Sequence, residues 1–320
     1  MEKIVLFDTA EASDNLGDQI IMDYCEQQLD NIFTTTPNFT YKIPTHLEVG
    51  KSARKLSQQA KYSIVCGTNI IKTSILVHRL WKISLLDALQ YKNVCLMGCG
   101  WGNYNKFSTD PYTKWVYRRL FNNGMQHAVR DEYTQRKLAE LGITNVIYTA
   151  CPTMWNLTPE HCKKIPTAKA QSVMTTLTAY HADKDRDKQM MNILVSSYNQ
   201  IFFWPQQIED IDYLRLLDFD KSKLTILSPS LKEYDKILAS ENIDYVGTRL
   251  HGGIRALNFG RRTLIISIDN RATEINKTSN IPILNRTDMD NLKGIIDTNF
   301  STNIFLPHEN ITKWKQQFHK

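Results

Sequence analysis

The period of the apolar positions switches repeatedly along this chain. Lys3-Ile4-Val5-Leu6-Phe7-Asp8-Thr9 is an apolar run of strand length; after a polar loop, Ile20, Ile21, Tyr24, Cys25 and Leu29 follow helical spacing. The alternation continues. An extended piece near Tyr41 to Ile43 leads to a helix from Lys51 to Ala60 and a buried strand from Tyr62 to Gly67. Helical spacing resumes at Leu80, Ile83, Leu86 and Leu89, and a strand follows from Asn93 to Met97. Next come a helix over 111–123, a strand from Gln126 to Val129, a helix opened by Asp131 and Glu132 and stopped by Gly142, and a strand from Asn145 to Thr149.

From Asn156 to Lys169 the chain turns polar and aperiodic, with Pro159 and Pro166, which marks a linker. A second series then runs as strand 172–177, helix 184–199, strand 201–204, helix 207–217, strand 224–227, helix 230–240, strand 243–248 and strand 263–268. Helical spacing follows each of the last two strands, the second of these helices opening at Asp269-Asn270-Arg271. Two such series predict an α/β chain with two doubly wound parallel domains, residues 1–160 and 161–320. The last helix, 308–320, carries Ile311, Trp314 and Phe318 on one stripe among lysines. That stripe suits packing back on the N-terminal domain, or lying on an anionic membrane surface.

Composition narrows the classes. At 320 residues, 42% apolar and 22% charged, the chain has the make-up of a globular protein, and no apolar run reaches the roughly 20 residues a membrane span needs. The first residues read as a strand and not as a signal peptide, so a cytoplasmic location is expected. Six cysteines without a Cys-x-x-Cys pair read as buried free thiols, and no metal site is expected. A net charge of +6 suits anionic partners, but the basic residues are scattered. Doublets such as Arg118-Arg119 and Arg261-Arg262 read as solvated faces and give no nucleic-acid stripe.

The densest chemistry lies in Ile243 to Gly260, where a strand feeds a helix through Thr248-Arg249-Leu250-His251-Gly252-Gly253. A guanidinium and an imidazole two residues apart, ahead of a helix N-terminus at a sheet's carboxyl edge, form an anion site. The same residues also fit a structural role, with Arg249 paired to a carboxylate and His251 capping the helix. Asp14, Asn15 and Asp18, around Gly17, either cap the first long helix or touch a sugar or donor from the loop after the first strand. Gly98-Cys99-Gly100-Trp101-Gly102-Asn103 fails the Gly-x-Gly-x-x-Gly count, yet Gly100 suits close approach of a ligand to the backbone. Arg130, at a strand end ahead of a helix, opposes the helix dipole unless an anion or Asp131 and Glu132 compensate it.

Asn15-Leu16-Gly17-Asp18, Arg130-Asp131-Glu132-Tyr133 with its Leu-Gly-Ile ending, and Thr248-Arg249-Leu250-His251-Gly252-Gly253 together resemble the polysaccharide pyruvyl transferase family. The resemblance runs over nearly the whole chain. It implies two Rossmann-like domains in a GT-B-like arrangement, with the active site in the inter-domain cleft. It implies transfer of the pyruvyl group of phosphoenolpyruvate to a sugar of a cell-surface polysaccharide precursor, with no cofactor beyond this donor substrate. Arg249 and His251 would then hold and activate phosphoenolpyruvate, with Leu250, Gly252 and Gly253 beside them, and Arg130 would reach its anionic end. Guanidinium groups match carboxylate and phosphate, and a histidine can deliver the proton that ketal formation requires. Asp14 or Asp18 would activate the acceptor hydroxyl. The implied acceptor is a sugar or lipid-linked oligosaccharide, handled at the inner face of the plasma membrane. The chain departs from the family pattern at Cys66-Gly67-Thr68-Asn69, where glycines are usual, and at Cys151-Pro152, where Asp-Pro is common.

Two other readings fit the same pattern. A GT-B glycosyltransferase would use a nucleotide sugar, and would need a grip on ribose and a stacking partner for the base. An inactive carbohydrate-binding or scaffold subunit would have no use for two unpaired cations.

Overall fold

Among the residues described by the computed structural model (2–34, 37–77, 80–102, 108–240 and 242–319), every strand pairs in parallel. Parallel neighbours need long crossovers, and helices supply nearly all of them. The chain forms two units: Met1–Ser13, Ile21–Trp155 and Pro307–Lys320 make the first, and Asp14–Ile20 with Asn156–Leu306 the second.

The first unit contains β1 (Glu2–Asp8), most of α1 (Leu16–Ile32), β2 (Asn38–Pro44), α2 (Lys51–Gln59) and β3 (Tyr62–Cys66). It continues through α3 (Leu85–Gln90), β4 (Val94–Met97), α4 (Pro111–Phe121), β5 (His127–Val129), α5 (Glu132–Glu140) and β6 (Val146–Tyr148). Its sheet runs β2-β1-β3-β4, and a bridge from Cys99 to Val129 carries it on to β5 and β6. Both faces of β3 and β4 are covered, which is why Tyr62 to Cys66 and Val94 to Met97 are buried without alternation. Gly98 ends β4 with φ +65°, and a Cβ there would meet Pro152 Cδ at 2.1 Å. Only glycine fits that turn.

One reading of apolar spacing changes. The Leu80, Ile83, Leu86, Leu89 pattern predicts a core stripe, but the helix starts only after Ser84, where Ser84 and Asp87 form a reciprocal capping box. Trp81 and Ile83 are buried ahead of it, while Leu85, Leu86 and Leu89 are exposed. The helix turns Asp87 and Ala88 inward instead, because Arg54 pairs with Asp87 at 2.9 Å. The apolar stripe of the last helix, by contrast, is used up in the first unit. There Trp314 packs against Trp155 at 5.6 Å, and Phe318 against Phe33 at 5.6 Å and Tyr62 at 4.9 Å. None of the three is left for a bilayer. All six cysteines are free and buried, and burial pushes the Cys95 thiol up to about 12.

The second unit contains α6 (Pro159–Cys162), β7 (Ser172–Thr175), α7 (Lys184–Ser197), β8 (Gln200–Phe203), α8 (Ile208–Leu216), β9 (Leu224–Ile226) and α9 (Leu231–Ser240). Then come β10 (Ile243–Gly247), α10 (Leu250–Asn258), β11 (Thr263–Ser267), α11 (Asn270–Ser279), β12 (Ile283–Asn285) and α12 (Leu292–Asp297); α13 (His308–Gln316) belongs to the first unit. The sheet order is β12-β11-β10-β7-β8-β9. From β7 the chain steps outward through β8 and β9, then returns to the other side of β7 as β10. The order therefore reverses between β7 and β10, the place where such sheets open a crevice at their carboxyl ends.

One basic doublet is not a solvated face. Arg262 is buried, pairs with Asp244 at 2.7 Å, and donates to the carbonyls of Ile296 and Thr298 at the end of α12. A cation at a helix C-terminus completes its unpaired carbonyls. Among the described residues, no helix is long and apolar enough to cross a membrane.

Candidate functional site

Arg249 sits where the strand order of the second unit reverses. Its backbone N–H donates to Thr176 Oγ1 at 3.2 Å, and that of Thr248 to the Thr176 carbonyl at 3.1 Å, so the carboxyl ends of β10 and β7 are tied together. Arg249 is the residue before α10 and gives that helix no side-chain cap. Its side chain turns inward and is nearly fully buried. Nη2 lies 2.6 Å from each carboxylate oxygen of Asp210, Nε donates to the Leu177 carbonyl at 2.9 Å, and the guanidinium lies 4.9 Å from the Tyr180 ring centroid. Nη1, also buried, has no hydrogen-bond partner among the described residues. The expectation of an uncompensated cation is corrected here: Asp210 balances the charge and fixes the guanidinium plane, leaving one donor edge unmet.

His251 follows in the first turn of α10, half-buried. Leu250, Gly252 and Gly253 are buried. A Cβ on Gly253 would meet Ile265 Cγ1 at 2.4 Å, and one on Gly252 would meet the Tyr245 hydroxyl at 3.2 Å. Their missing side chains therefore let α10 lie directly on β10 and β11. The Tyr245 hydroxyl donates to the Arg249 carbonyl at 2.8 Å and bonds Thr176 at 2.7 Å, locking the turn from below.

The loop after the first strand belongs to the same unit. Asp14–Ile20 groups with the second unit although the preceding and following residues do not. The reason is a set of bonds to the segment after β8. Leu16 N–H donates to the Gln206 carbonyl at 3.0 Å, Gln206 Nε2 donates to Asn15 Oδ1 at 2.7 Å, and Gln207 Nε2 to Asp14 Oδ1 at 3.3 Å. Asn15 Oδ1 also receives the Gly17 N–H at 3.0 Å, and a Cβ on Gly17 would lie 2.5 Å from Gln206 Nε2. Gly17 is thus what admits Gln206. Asp210 closes the chain by accepting the N–H groups of Gln206 and Gln207 at 3.2 and 3.1 Å. Asn15 and Arg249 are so connected through Gln206 and Asp210. Asp14 is exposed, and Asp18 is half-buried in the first turn of α1, where its charge favours the helix N-terminus.

A second polar cluster lies at the carboxyl edge of the first unit. Arg130 follows β5, is buried, and has Nε 3.3 Å from Asp131 Oδ2. Here too the carboxylate is local. Asp131 also caps α5, accepting from the Thr134 N–H at 2.7 Å. The guanidinium lies over Gly100, where a Cβ would stand 2.5 Å from Arg130 Cζ. Gly100 donates its N–H to the Thr68 carbonyl at 2.8 Å; Thr68 holds φ +56°, and the neighbouring Asn69 Oδ1 is buried with no hydrogen-bond partner among the described residues. Where the family pattern has glycines, this segment carries a non-glycine residue with positive φ and an unmet acceptor. Asn103 lies outside the described residues.

Sequence reading missed Gln206, Asp210, Thr176 and Tyr245. Asp210 reads as an ordinary first-turn acid of α8. The one signal available was the run Thr175-Thr176 with Thr178, hydroxyls at a strand's carboxyl end, all buried. Among the described residues, no group of three or more His, Cys, Asp or Glu side chains is placed to hold a metal ion.

Two units of parallel α/β build, the second with a strand-order reversal at its carboxyl edge, define a doubly wound class of protein. Among solved structures, the chain is similar to UDP-GlcNAc 2-epimerase of Methanocaldococcus jannaschii in complex with UDP-GlcNAc and UDP. That match has a TM-score of 0.54 and 11% identity, and covers 100% of this chain and 99% of that one. It is similar also to S. aureus MnaA with UDP, with a TM-score of 0.51, 10% identity and coverage of 100% and 97%. UDP-N-acetylglucosamine 2-epimerase of Rickettsia bellii matches with a TM-score of 0.51, 12% identity and coverage of 99% and 94%. No curated protein matches the sequence significantly. The family model for polysaccharide pyruvyl transferase matches residues 15–270, which take in all three motifs. The chain belongs to the polysaccharide pyruvyl transferase family.

Proposed function

We propose that this transferase moves the pyruvyl group of phosphoenolpyruvate onto a sugar of a cell-surface polysaccharide precursor, forming a pyruvate ketal and releasing phosphate. The observation that carries the reading is the buried Nη1 of Arg249, partnerless among the described residues, on a guanidinium held by Asp210 at the strand-order reversal and within the span that the family model matches. A buried donor without a partner costs free energy unless a ligand supplies one. The carboxylate or phosphate of phosphoenolpyruvate would do so, with the N-terminus of α10 adding its dipole.

His251 would protonate the methylene carbon while a sugar hydroxyl adds to the central carbon. A second hydroxyl then displaces phosphate. The central carbon gains two C–O bonds and loses the π bond to the methylene carbon and the bond to the phosphate oxygen, and the two hydroxyl protons end on the methyl carbon and on phosphate. Asp14 or Asp18 would relay a hydroxyl proton. Arg130 would bind an anionic group, and Gly100 would give a ligand room at the backbone. Leu250, Gly252 and Gly253 would serve by placing Arg249 and His251. No cofactor beyond the donor substrate enters this scheme. The acceptor is a sugar or lipid-linked oligosaccharide, met at the inner face of the plasma membrane.

The test is incubation of the protein with phosphoenolpyruvate and a panel of galactose-, mannose-, glucosamine- and mannosamine-type acceptors. Phosphate release that requires both donor and acceptor is expected. Transfer from a UDP-sugar without phosphoenolpyruvate would establish the glycosyltransferase reading instead.

A further inference from the structure

The first unit exposes an apolar surface that its own fold does not cover. Leu85, Leu86 and Leu89 project from one side of α3 at 48%, 54% and 46% exposure, and Trp115 on α4 is 41% exposed. Leu76 and Val77, in the loop before α3, reach 61% and 73%. The elements that carry these residues lie side by side. α2 packs on α3, and α3 on α4. Arg119, one turn beyond Trp115, donates to the Leu89 carbonyl at 3.1 Å, and the N–H of Ile75 reaches Thr113 Oγ1 of α4 at 3.0 Å.

The charge around these residues is predominantly positive. α2, α3 and α4 together carry Lys51, Arg54, Lys55, Lys114, Arg118 and Arg119 and a single carboxylate, Asp87, which is buried against Arg54. Lys82 and Lys92 flank α3; of the two acids that border these helices, Glu48 is exposed just ahead of α2 and Asp110 is turned onto the N-terminus of α4 as its cap. Leucines and a tryptophan ringed by cations match an anionic lipid surface, where apolar side chains enter the acyl boundary and cations meet the headgroups. A protein partner of acidic character would satisfy the cations and leave the leucines wet.

We infer that the face formed by α2, α3 and α4 docks the protein on an anionic bilayer. The inference rests on this surface alone and not on the proposed chemistry. In the buried stripe of α13 the apolar residues are spent on the core, so docking falls to this other face.

The test is co-sedimentation of the full chain with phosphatidylcholine vesicles, with and without phosphatidylglycerol, at low and high salt. Binding is expected only to the anionic vesicles, weakening with salt. The Leu85→Glu/Leu86→Glu/Leu89→Glu variant and the Lys51→Glu/Lys55→Glu/Lys114→Glu variant should each bind at least about tenfold more weakly. Both should keep the parent's melting temperature and phosphoenolpyruvate-induced shift, since the changed side chains lie outside the core. Ile208→Glu/Leu216→Glu, which alters exposed apolar residues of the second unit, should bind as the parent does. Equal binding to neutral vesicles, or full binding by the leucine variant, would overturn the inference. So would a dimer in sedimentation that the leucine variant splits, with no vesicle binding.

Discussion

Nη2 of Arg249 is 2.6 Å from both oxygens of Asp210, and no water-exposed surface remains on that carboxylate. Two side chains, one at the carboxyl end of β10 and one in the first turn of α8, thereby fix one donor edge in place before any ligand arrives. Pre-ordering of this kind lowers the entropy lost on binding.

Asp210→Asn should destabilise the protein by about 3–5 kcal/mol, because it leaves a buried guanidinium without its counter-charge. Urea unfolding measures this. The Arg249→Met/Asp210→Asn pair should recover part of the stability while failing to bind phosphoenolpyruvate. Full recovery of binding in the pair would remove Arg249 from the donor site.

His251→Gln separates binding from chemistry. If the imidazole delivers the proton, phosphate release should fall about 10²- to 10⁴-fold. The thermal shift produced by phosphoenolpyruvate should persist. Loss of the shift with the rate unchanged per bound donor would assign His251 to binding only.

His127 sets an acid limit on the first unit. It is fully buried, its Nδ1 accepts from the Leu96 N–H at 3.2 Å, and its Nε2 faces the Phe121 carbonyl at 2.7 Å. Burial lowers its pKa from 6.5 to about 4, so the folded protein keeps it neutral where the unfolded chain would protonate it. The associated stability is complete above pH 6.5 and drains away as pH falls toward about 4, by about 3 kcal/mol in all. Unfolding midpoints measured across that window should decline, and His127→Gln should flatten the decline.

Trp314→Ala should cost about 3–5 kcal/mol by opening a cavity against Trp155 and Phe318. Calorimetry would read this as a drop in the melting temperature of the first unit. An unchanged melting temperature would mean that the last helix is not part of that core.

Strand and helix alternation was legible because buried parallel strands leave uninterrupted runs such as Ile4 to Phe7 and Val94 to Met97. The family motif was legible because Arg249, His251 and the paired glycines are adjacent in sequence. What holds them was not. Asp210 and Gln206 lie some forty residues upstream of Arg249, and Asn15 reaches Gln206 only because the chain folds back. Distant pairings of this sort leave no local pattern. Leu86 and Leu89 misled for the converse reason, since helical spacing marks an apolar face without saying what covers it.

The most direct measurement is the thermal shift of the purified protein with phosphoenolpyruvate and, separately, with UDP. A ligand bound only by the native state raises the melting temperature with concentration. The account predicts a rise with phosphoenolpyruvate that Arg249→Ala abolishes, and none with UDP. A rise with UDP alone, or a phosphoenolpyruvate shift that survives Arg249→Ala, would contradict it.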